Sequence, residues 1–563
     1  MTNSLTLVLS GQAGQGLKTI EELLGKAIKQ SYNVFTITEV MSRVRGGNNT
    51  VEIRLSNTPV YAYKENIDLL FLLNSNAFYR LDYRLTNTTE IFGEEGFMTS
   101  EQLEAANCSY NPLPLSALAK EAGSALYSNT LLYGFIAGLL GLDETISGQL
   151  LTEKFHAKSD KIIQGNLKAF TLGYNNGGQF QHLNPIQKTT QVAKHKIING
   201  SEAISIGAIA GGINYIASYP MSPATAVLEY LASKGQQFGI AVEQAEDEIA
   251  ALNMVIGGWY AGARSMATTS GGGFALMEEA VSLSGITETP AVIHIAQRPG
   301  PGTGLPTRTE QADLNLAVYS GHGEFPRIVL APGTLEDGIL LTQRAFYLAD
   351  KYQVPTFVLS DQFYLDGRST VAPVPLEEAS LTSFVVESKS DYKRYALTDN
   401  GISPRAIPGY GQGLVKCDSD EHDEGGSITE DFNVRVLMND KRLGKDAYIL
   451  EDYIEPLLIG NPEFTSLIIG WGSTYGVIKE AVESASSDKV AFLHIRQLFP
   501  LSPSLLTYIN QADRVVVMEN NATGQLASLL KQYLDVHVHQ QVLKYNGVPF
   551  TIEEVDHTIK EVF

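Results

Sequence analysis

Cysteine is almost missing from this chain: Cys108 and Cys417 are the only two in 563 residues, and they show no CxxC spacing. A disulfide framework is not expected, and a reducing compartment, the cytoplasm, is. A 4Fe–4S cluster takes about four thiolates, so this chain cannot hold one by itself, and electrons released in a redox reaction must leave through another polypeptide. Long apolar runs are also missing. No stretch reaches the roughly 18 residues of a membrane span. The first residues lack a basic region, and Leu5–Leu9 is too short for the core of a signal peptide, so it is expected to be a first strand. Positive charge is scarce: 41 Lys+Arg against 62 Asp+Glu give a formal net charge of -21. That disfavours nucleic acid and anionic membranes as partners, since both are polyanions.

What is present is the composition of an ordinary globular protein, 44% hydrophobic and 18% charged. The chain is too long for one core. The pattern predicts an α/β protein of three α/β domains: residues 1–175, a linker at 176–195, a second domain at 196–380, an irregular connecting segment at 381–455 and a third domain at 456–563. The first opens strand (Leu5–Leu9), helix (Leu17–Gln30), strand (Asn33–Thr38), which predicts a parallel sheet. The linker is placed on the turn-like Asn175-Asn176-Gly177-Gly178. In the second domain, strands are expected at Ile240–Val242, Ala291–Ala296, Ile328–Ala331 and Thr356–Leu359, with a helix at Glu248–Gly262. The third domain reads as strands at Ser466–Gly470, Val490–Ile495 and Arg514–Glu519, with helices at Thr474–Ser484 and Gly524–Leu534. The acidic run Asp418–Glu424 reads as a solvated loop, with ion binding as the alternative.

Several loops carry chemistry. Ser10-Gly11-Gln12-Ala13-Gly14-Gln15-Gly16 lies between a strand and a helix, where free N–H groups favour an anion; a purely structural turn accounts for it equally well. Arg43 and Arg45, beside Gly46 and Gly47, suit phosphate or a solvated turn. Tyr219-Pro220-Met221-Ser222-Pro223-Ala224-Thr225 is stiffened by its prolines and presents hydroxyls; it can bind a carboxylate or simply cap a helix. Glu243, Glu246, Asp247 and Glu248 crowd one strand-to-helix junction, where repulsion raises at least one pKa, though acids also suit a helix start. Thr268-Thr269-Ser270-Gly271-Gly272-Gly273-Phe274 allows close approach of a ligand to backbone. The long loop Arg298–Gln311 offers arginines for gripping a carboxylate.

In this order, the loops resemble the gamma–alpha fusion subunits of the 2-oxoacid:ferredoxin oxidoreductases, and the 2-oxoglutarate subgroup in particular. Gly11–Gly16 and Arg43–Gly47 are similar to the gamma domain. Tyr219–Pro223, Gln244–Glu248, Thr268–Phe274 and Thr303-Gly304-Leu305-Pro306-Thr307-Arg308-Thr309-Glu310-Gln311 are similar to the pyrimidine-binding alpha domain. Gly470–Thr474, Arg496–Pro500 and Glu519–Leu526 are similar to the transketolase C-terminal-like domain that follows. The resemblance implies oxidative decarboxylation of a 2-oxoacid to acyl-CoA and CO2, with electrons passed to ferredoxin.

It further implies that Glu246 is the catalytic glutamate on N1′ of the aminopyrimidine of thiamine diphosphate, in an apolar pocket that keeps its proton near neutral pH. Tyr219, Pro220, Thr269, Ser270 and Gly271 are implied as cofactor contacts, and Ser222, Thr307 and Arg308 as substrate contacts. Ser222 stands where the family has threonine. Gly11, Gly14, Gly16, Arg43 and Arg45 are a candidate coenzyme A or anion loop. The Gly-Asp-Gly motif for magnesium and diphosphate does not occur. Mg2+ and the iron–sulfur cluster are therefore expected on a beta subunit, the enzyme is expected to be active only with it, and an (alpha–beta)2 heterotetramer is expected. Alternatives are pyruvate or a branched-chain 2-oxoacid as substrate, a non-catalytic nucleotide-binding scaffold, or a thiamine enzyme complete in one chain, which the missing magnesium motif disfavours.

Overall fold

The structure, a computed structural model, describes residues 4–563 except 13, 41–46, 63, 80 and 486. The chain forms two compact units. One comprises Met1–Ile198, Asp366–Pro373 and Thr551–Glu553; the other comprises the remainder.

The first unit is built on an eight-stranded sheet, in the order Ser109–Pro112, Glu90–Gly93, Leu69–Leu72, Ser4–Gln12, Asn48–Ser56, Asn33–Glu39, Arg368–Val371, Lys196–Asn199. Alternate residues of the first strand feed different cores: Leu7 and Leu9 pack with Leu24 and Phe71, whereas Val8 packs with Leu70 and Ile91. Burial on both faces is why Leu5–Leu9 is continuously apolar. The sheet is only in part the parallel one expected: Leu69–Leu72, Glu90–Gly93 and Ser109–Pro112 continue parallel from Ser4–Gln12, but the other side is antiparallel. Asn48–Ser56 is antiparallel to both Ser4–Gln12 and Asn33–Glu39 and lies between them. The connection from Glu39 to Asn48 is too short for a parallel crossover, which takes about a dozen residues, so the chain must return antiparallel. Arg368–Val371, read from sequence as part of the second domain, pairs with Asn33–Glu39 here.

The turn expected at Asn175–Gly178, at the start of the 176–195 linker, is helical, and residues 184–195 are irregular. Asn175, Asn176 and Gly177 end the helix Asp160–Gly177, and Gly178 opens a 3-10 turn. The glycines serve close helix packing. A Cβ on Gly173 or Gly177 would strike the carbonyls of Leu131 or Phe135, and one on Gly134 or Gly138 those of Phe170 or Tyr174. The two helices, Ser128–Leu139 and Asp160–Gly177, thus touch backbone to backbone.

The second unit holds two sheets. The larger has the order Gln497–Phe499, Ile328–Leu330, Pro355–Asp361, Ala291–Gln297, Ser265–Ser270, Tyr215–Ser218, Ala241–Gln244. Its strands are parallel except Gln497–Phe499. The chain leaves Tyr215–Ser218 towards one edge and Ser265–Ser270 towards the other, so the order reverses between these neighbours. A crevice at the carboxyl ends of such strands is where doubly wound sheets bind ligands. The smaller sheet runs Leu457–Gly460, Val490–Ile495, Ser466–Trp471, Arg514–Glu519, Gln540–Leu543, with only the first strand antiparallel.

The connecting segment is irregular up to the helix Phe432–Leu443 but is docked through buried charge. Glu288, 1% exposed, accepts from Lys441 at 2.6 Å and pairs with Lys445 at 2.5 Å, while Arg394 donates to the Glu288 carbonyl at 2.6 Å. Backbone without regular partners needs such anchors. The acidic run is likewise not simply solvated: Glu421 takes both nitrogens of Arg442, at 3.1 and 2.8 Å, and buried His422 stacks on Tyr395 at 3.8 Å.

Candidate active site

Four of the loops singled out from sequence leave the carboxyl ends of neighbouring parallel strands in the second unit. Tyr219–Thr225 follows Tyr215–Ser218, Ala245–Glu248 follows Ala241–Gln244, Gly271–Phe274 follows Ser265–Ser270, and Arg298–Gln311 follows Ala291–Gln297. Asp361, which ends Pro355–Asp361, accepts from Thr309 Oγ1 at 3.0 Å and so anchors the longest loop.

The acid at the centre is Glu248. Ala245 turns inward, 3% exposed, with its N–H on the Ser218 carbonyl at 3.1 Å. Glu246 is consequently on the exposed side. Asp247 caps the helix Glu248–Tyr260, accepting from Ala250 N at 2.8 Å. Glu248, 3% exposed, points the other way, in phase with the buried Ala251, Leu252, Val255, Ile256 and Trp259. The expected apolar surroundings therefore belong to Glu248 and not to Glu246: an N-cap reverses which side of the chain faces the core, and residue 246 lies before it. Glu248 Oε1 is buried with no hydrogen-bond partner among the described residues. Burial, assisted by Asp247, pushes its carboxyl above the usual range. An unpaired buried acceptor costs roughly 1–3 kcal/mol, which marks a group held ready for something else.

The glycine turn makes room for it. A Cβ on Gly273 would fall 2.5 Å from Glu248 Oε1 and would also strike Thr269 Oγ1. Thr269 and Ser270 are buried, and their hydroxyls too lack partners among the described residues. Beneath them, buried His294 bridges Thr268 Oγ1 at 2.8 Å and Ser360 Oγ at 2.7 Å. Burial lowers its pKa to about 3, so it is neutral and stiffens the strand ends as a donor on one side and an acceptor on the other.

The loops around this acid are braced. Arg298 Nη1 donates to the Ser222 carbonyl at 2.7 Å, fixing the Tyr219–Pro223 turn. Tyr219 is 37% exposed, while Pro220, Ser222, Thr307 and Arg308 are half-buried. Gln311, fully buried, ties the Arg308 loop to the smaller sheet: it donates to Trp471 O at 2.8 Å and accepts from Asn520 N at 3.0 Å, and its carbonyl accepts from Asn521 Nδ2 at 3.2 Å. Glu519 in turn accepts from Trp471 Nε1, Asn521 Nδ2 and the N–H groups of Leu526 and Ala527. The Gly470–Thr474 and Glu519–Leu526 motifs thus carry the loop that presents Arg308.

In the first unit, Gly14 and Gly16 have φ of 92° and 75°. The Gln12 N–H is already taken by Gln15 Oε1 at 2.5 Å, and Asn74 Nδ2 donates to the same oxygen at 3.2 Å. Gln15, Glu94 and Asn129 line an adjoining cavity of about 310 Å3. Arg43 and Arg45 lie outside the described residues.

A buried acid beside a glycine turn at the reversal of a doubly wound sheet marks the ligand-binding crevice of an α/β domain. Residues 206–441 match the family described as "Pyruvate flavodoxin/ferredoxin oxidoreductase, thiamine diP-bdg", and residues 6–176 match "Pyruvate ferredoxin/flavodoxin oxidoreductase". The chain is 30% identical to 2-oxoacid:ferredoxin oxidoreductase subunit alpha from Sulfolobus sp, over 99% of this chain and 97% of that one. It is 32% identical to 2-oxoglutarate oxidoreductase subunit KorA from Mycobacterium tuberculosis, over 77% of this chain and 68% of that one. Among solved structures, the 2-oxoglutarate:ferredoxin oxidoreductase from Magnetococcus marinus, with 2-oxoglutarate, coenzyme A and succinyl-CoA bound, superposes with a TM-score of 0.93 at 31% identity, covering 100% of both chains. The chain belongs to the family of 2-oxoacid:ferredoxin oxidoreductase alpha subunits, with a thiamine diphosphate-binding domain. No helix among the described residues is long and apolar enough to cross a membrane.

Proposed function

We propose that this subunit serves the oxidative decarboxylation of 2-oxoglutarate: with coenzyme A and two oxidised ferredoxins, the products are succinyl-CoA, CO2, two reduced ferredoxins and a proton. The names of the relatives and the ligands bound in the Magnetococcus marinus structure support this substrate; pyruvate is the runner-up. The observation that carries the reading is the buried carboxyl of Glu248, whose Oε1 has no hydrogen-bond partner among the described residues.

Thiamine diphosphate, when bound, supplies the electron sink for decarboxylation. The residues present suit it. Glu248 is a buried acid, pushed above the usual carboxylate range by burial, and it suits sharing a proton with the N1′ nitrogen of the aminopyrimidine. Thr269 and Ser270 add hydroxyls without partners among the described residues, and Gly273 leaves the room that the Glu248 carboxyl occupies; Gly271 is assigned to the cofactor turn with them. The role expected for Glu246 thereby passes to Glu248. Tyr219 and Pro220 form the rim of the cofactor site. Arg308 and Thr307 grip a substrate carboxylate, and Ser222 is fixed by Arg298 to add a hydroxyl. The beta subunit holds magnesium, the diphosphate and the iron–sulfur cluster, because this sequence has no Gly-Asp-Gly and two cysteines. The complex is an (alpha–beta)2 heterotetramer of the cytoplasm.

The test is substrate-dependent viologen reduction by the reconstituted complex. The reading expects 2-oxoglutarate to outpace pyruvate, and Glu248→Gln to abolish the rate while Glu246→Gln retains it. Equal rates with both substrates overturn the substrate assignment; an unimpaired Glu248→Gln enzyme overturns the site and favours a scaffold role.

A further inference from the structure

Arg308 rests on a turn from the smaller sheet. Lys544-Tyr545-Asn546-Gly547-Val548 follows the strand Gln540–Leu543. Gly547 has a φ of 85°, and its carbonyl accepts from the Thr309 N–H at 3.1 Å. A Cβ on Gly547 would fall 3.3 and 3.5 Å from Cβ and Cγ of Arg308 and 3.1 Å from Leu305 Cδ1. Carbon atoms pack best at about 3.5–4.0 Å, so the bare backbone of Gly547 is the surface that receives the Arg308 stem. The turn is itself fixed. Asn520, 2% exposed, donates from Nδ2 to the Lys544 and Val548 carbonyls at 3.2 and 3.3 Å, and Asn546 Oδ1 accepts from the Val548 N–H at 3.3 Å. Thr309 also gives its hydroxyl to Asp361 at 3.0 Å, and the Arg308 N–H donates to the Leu305 carbonyl at 3.1 Å. The backbone of Arg308 and Thr309 is thus committed, and the first carbons of the Arg308 side chain are placed by Gly547.

We propose that Gly547 is a positioning residue for substrate: by leaving room for the Arg308 stem, the Asn546–Gly547 turn places the guanidinium where it grips the carboxylate of the 2-oxoacid. The inference rests on the reading of Arg308 given above. A guanidinium holds a carboxylate at two points with fixed geometry. Any side chain at position 547 makes Arg308 and Leu305 give way by a few tenths of an ångström, and a shift at the stem is carried to the fork at its end. Substrate binding pays for that shift. The cofactor residues stand elsewhere: Thr269 and Ser270 are on the strand Ser265–Ser270, and Glu248 opens the helix Glu248–Tyr260.

The test is steady-state kinetics of the holoenzyme. Gly547→Ala should raise KM for the 2-oxoacid about tenfold with kcat little changed, the pattern of lost substrate binding, and leave thiamine diphosphate affinity as it is. Alanine also strains a positive-φ backbone, so two further variants separate strain from displacement. Gly409 has a φ of 79° with nothing within 4 Å of an added Cβ; Gly409→Ala should lower the melting temperature and leave KM alone. Gly547→Asn carries the same Cβ on a residue that accepts positive φ more readily; it should lose less melting temperature and show the same rise in KM. In an Arg308→Ala background the guanidinium is gone, and Gly547→Ala should add less than about twofold. Unaltered KM in both position-547 variants, an equal rise in Gly409→Ala, or full additivity with Arg308→Ala would each overturn the proposal. If Arg308→Ala leaves KM unchanged, the substrate clamp itself fails and this inference with it. If Arg308→Ala raises KM and the position-547 variants do not, the inference fails alone.

Discussion

Gly273 and Glu248 exclude one another's growth: the space a methyl group on Gly273 would need is the space the Glu248 carboxyl occupies, 2.5 Å from the ideal Cβ. Gly273 lies in the short helix Gly271–Phe274 and is not among the positive-φ glycines, so alanine is compatible with its backbone. Gly273→Ala therefore isolates the steric effect. Overpacking of this kind costs about 1–3 kcal/mol. The expected outcome is a fall of at least tenfold in thiamine diphosphate affinity of the reconstituted complex by calorimetry, with the chain still folded by circular dichroism. Unchanged affinity would show that the carboxyl moves aside at no cost.

Gln311 is the pin between the Arg308 loop and the smaller sheet. Gln311→Leu leaves the Asn520 N–H unpaired, at about 1–3 kcal/mol, and removes one of two donors to the Trp471 carbonyl, which keeps Thr474 Oγ1 at 2.8 Å. Thermal denaturation should register that loss. KM for the 2-oxoacid should rise together with it, because Arg308 loses its support, while thiamine diphosphate affinity should change less.

Glu288 faces Lys441 and Lys445, with Arg394 nearby, and these cations hold its carboxyl far below the usual range despite burial. The sign follows from the depressed pKa. Its contribution to stability is fully present above the ordinary carboxylate range near pH 4.5 and declines as pH falls below it. Glu288→Gln leaves buried cations uncompensated and should cost about 3–5 kcal/mol at neutral pH. Denaturant titrations at pH 7 and at lower pH should show that difference shrinking as acid is added.

In the first unit, Gly177→Ala places a Cβ against the Phe135 carbonyl. The helices must separate, and the melting temperature should fall. If Gly177 were merely part of a loop, as its Asn-Asn-Gly-Gly setting suggests, alanine would be neutral or stabilising.

Much of the fold was legible in sequence because alternating strand and helix patterns are local. Ser466–Trp471, Val490–Ile495 and Arg514–Glu519 appear close to where their apolar runs place them. The failures come from non-local partners. Gly173 and Gly177 look like turn residues until the facing helix is known. Asn48–Ser56 inserts between two strands that a βαβ opening would make neighbours. The site was legible as a set of loops, but the choice among four crowded acids was not made by charge. A further signal was available: Ala251, Leu252, Val255, Ile256 and Trp259 follow position 248 at helical spacing, which puts Glu248 on the core face. Glu246 precedes the helix and has no such phase. The seat of Arg308 on Gly547 could not be found at all, since it joins a loop of the larger sheet to a turn of the smaller one.

The most direct measurement is hydrogen–deuterium exchange at C2 of thiamine diphosphate bound to the reconstituted alpha–beta complex, followed by proton NMR after acid quench. With Glu248 as the proton partner of the aminopyrimidine, Glu248→Gln slows exchange by roughly 10²–10⁴-fold, the range for loss of one general acid–base group, and Glu246→Gln exchanges at the rate of the unmodified enzyme. Slow exchange in Glu246→Gln with normal exchange in Glu248→Gln would contradict the account.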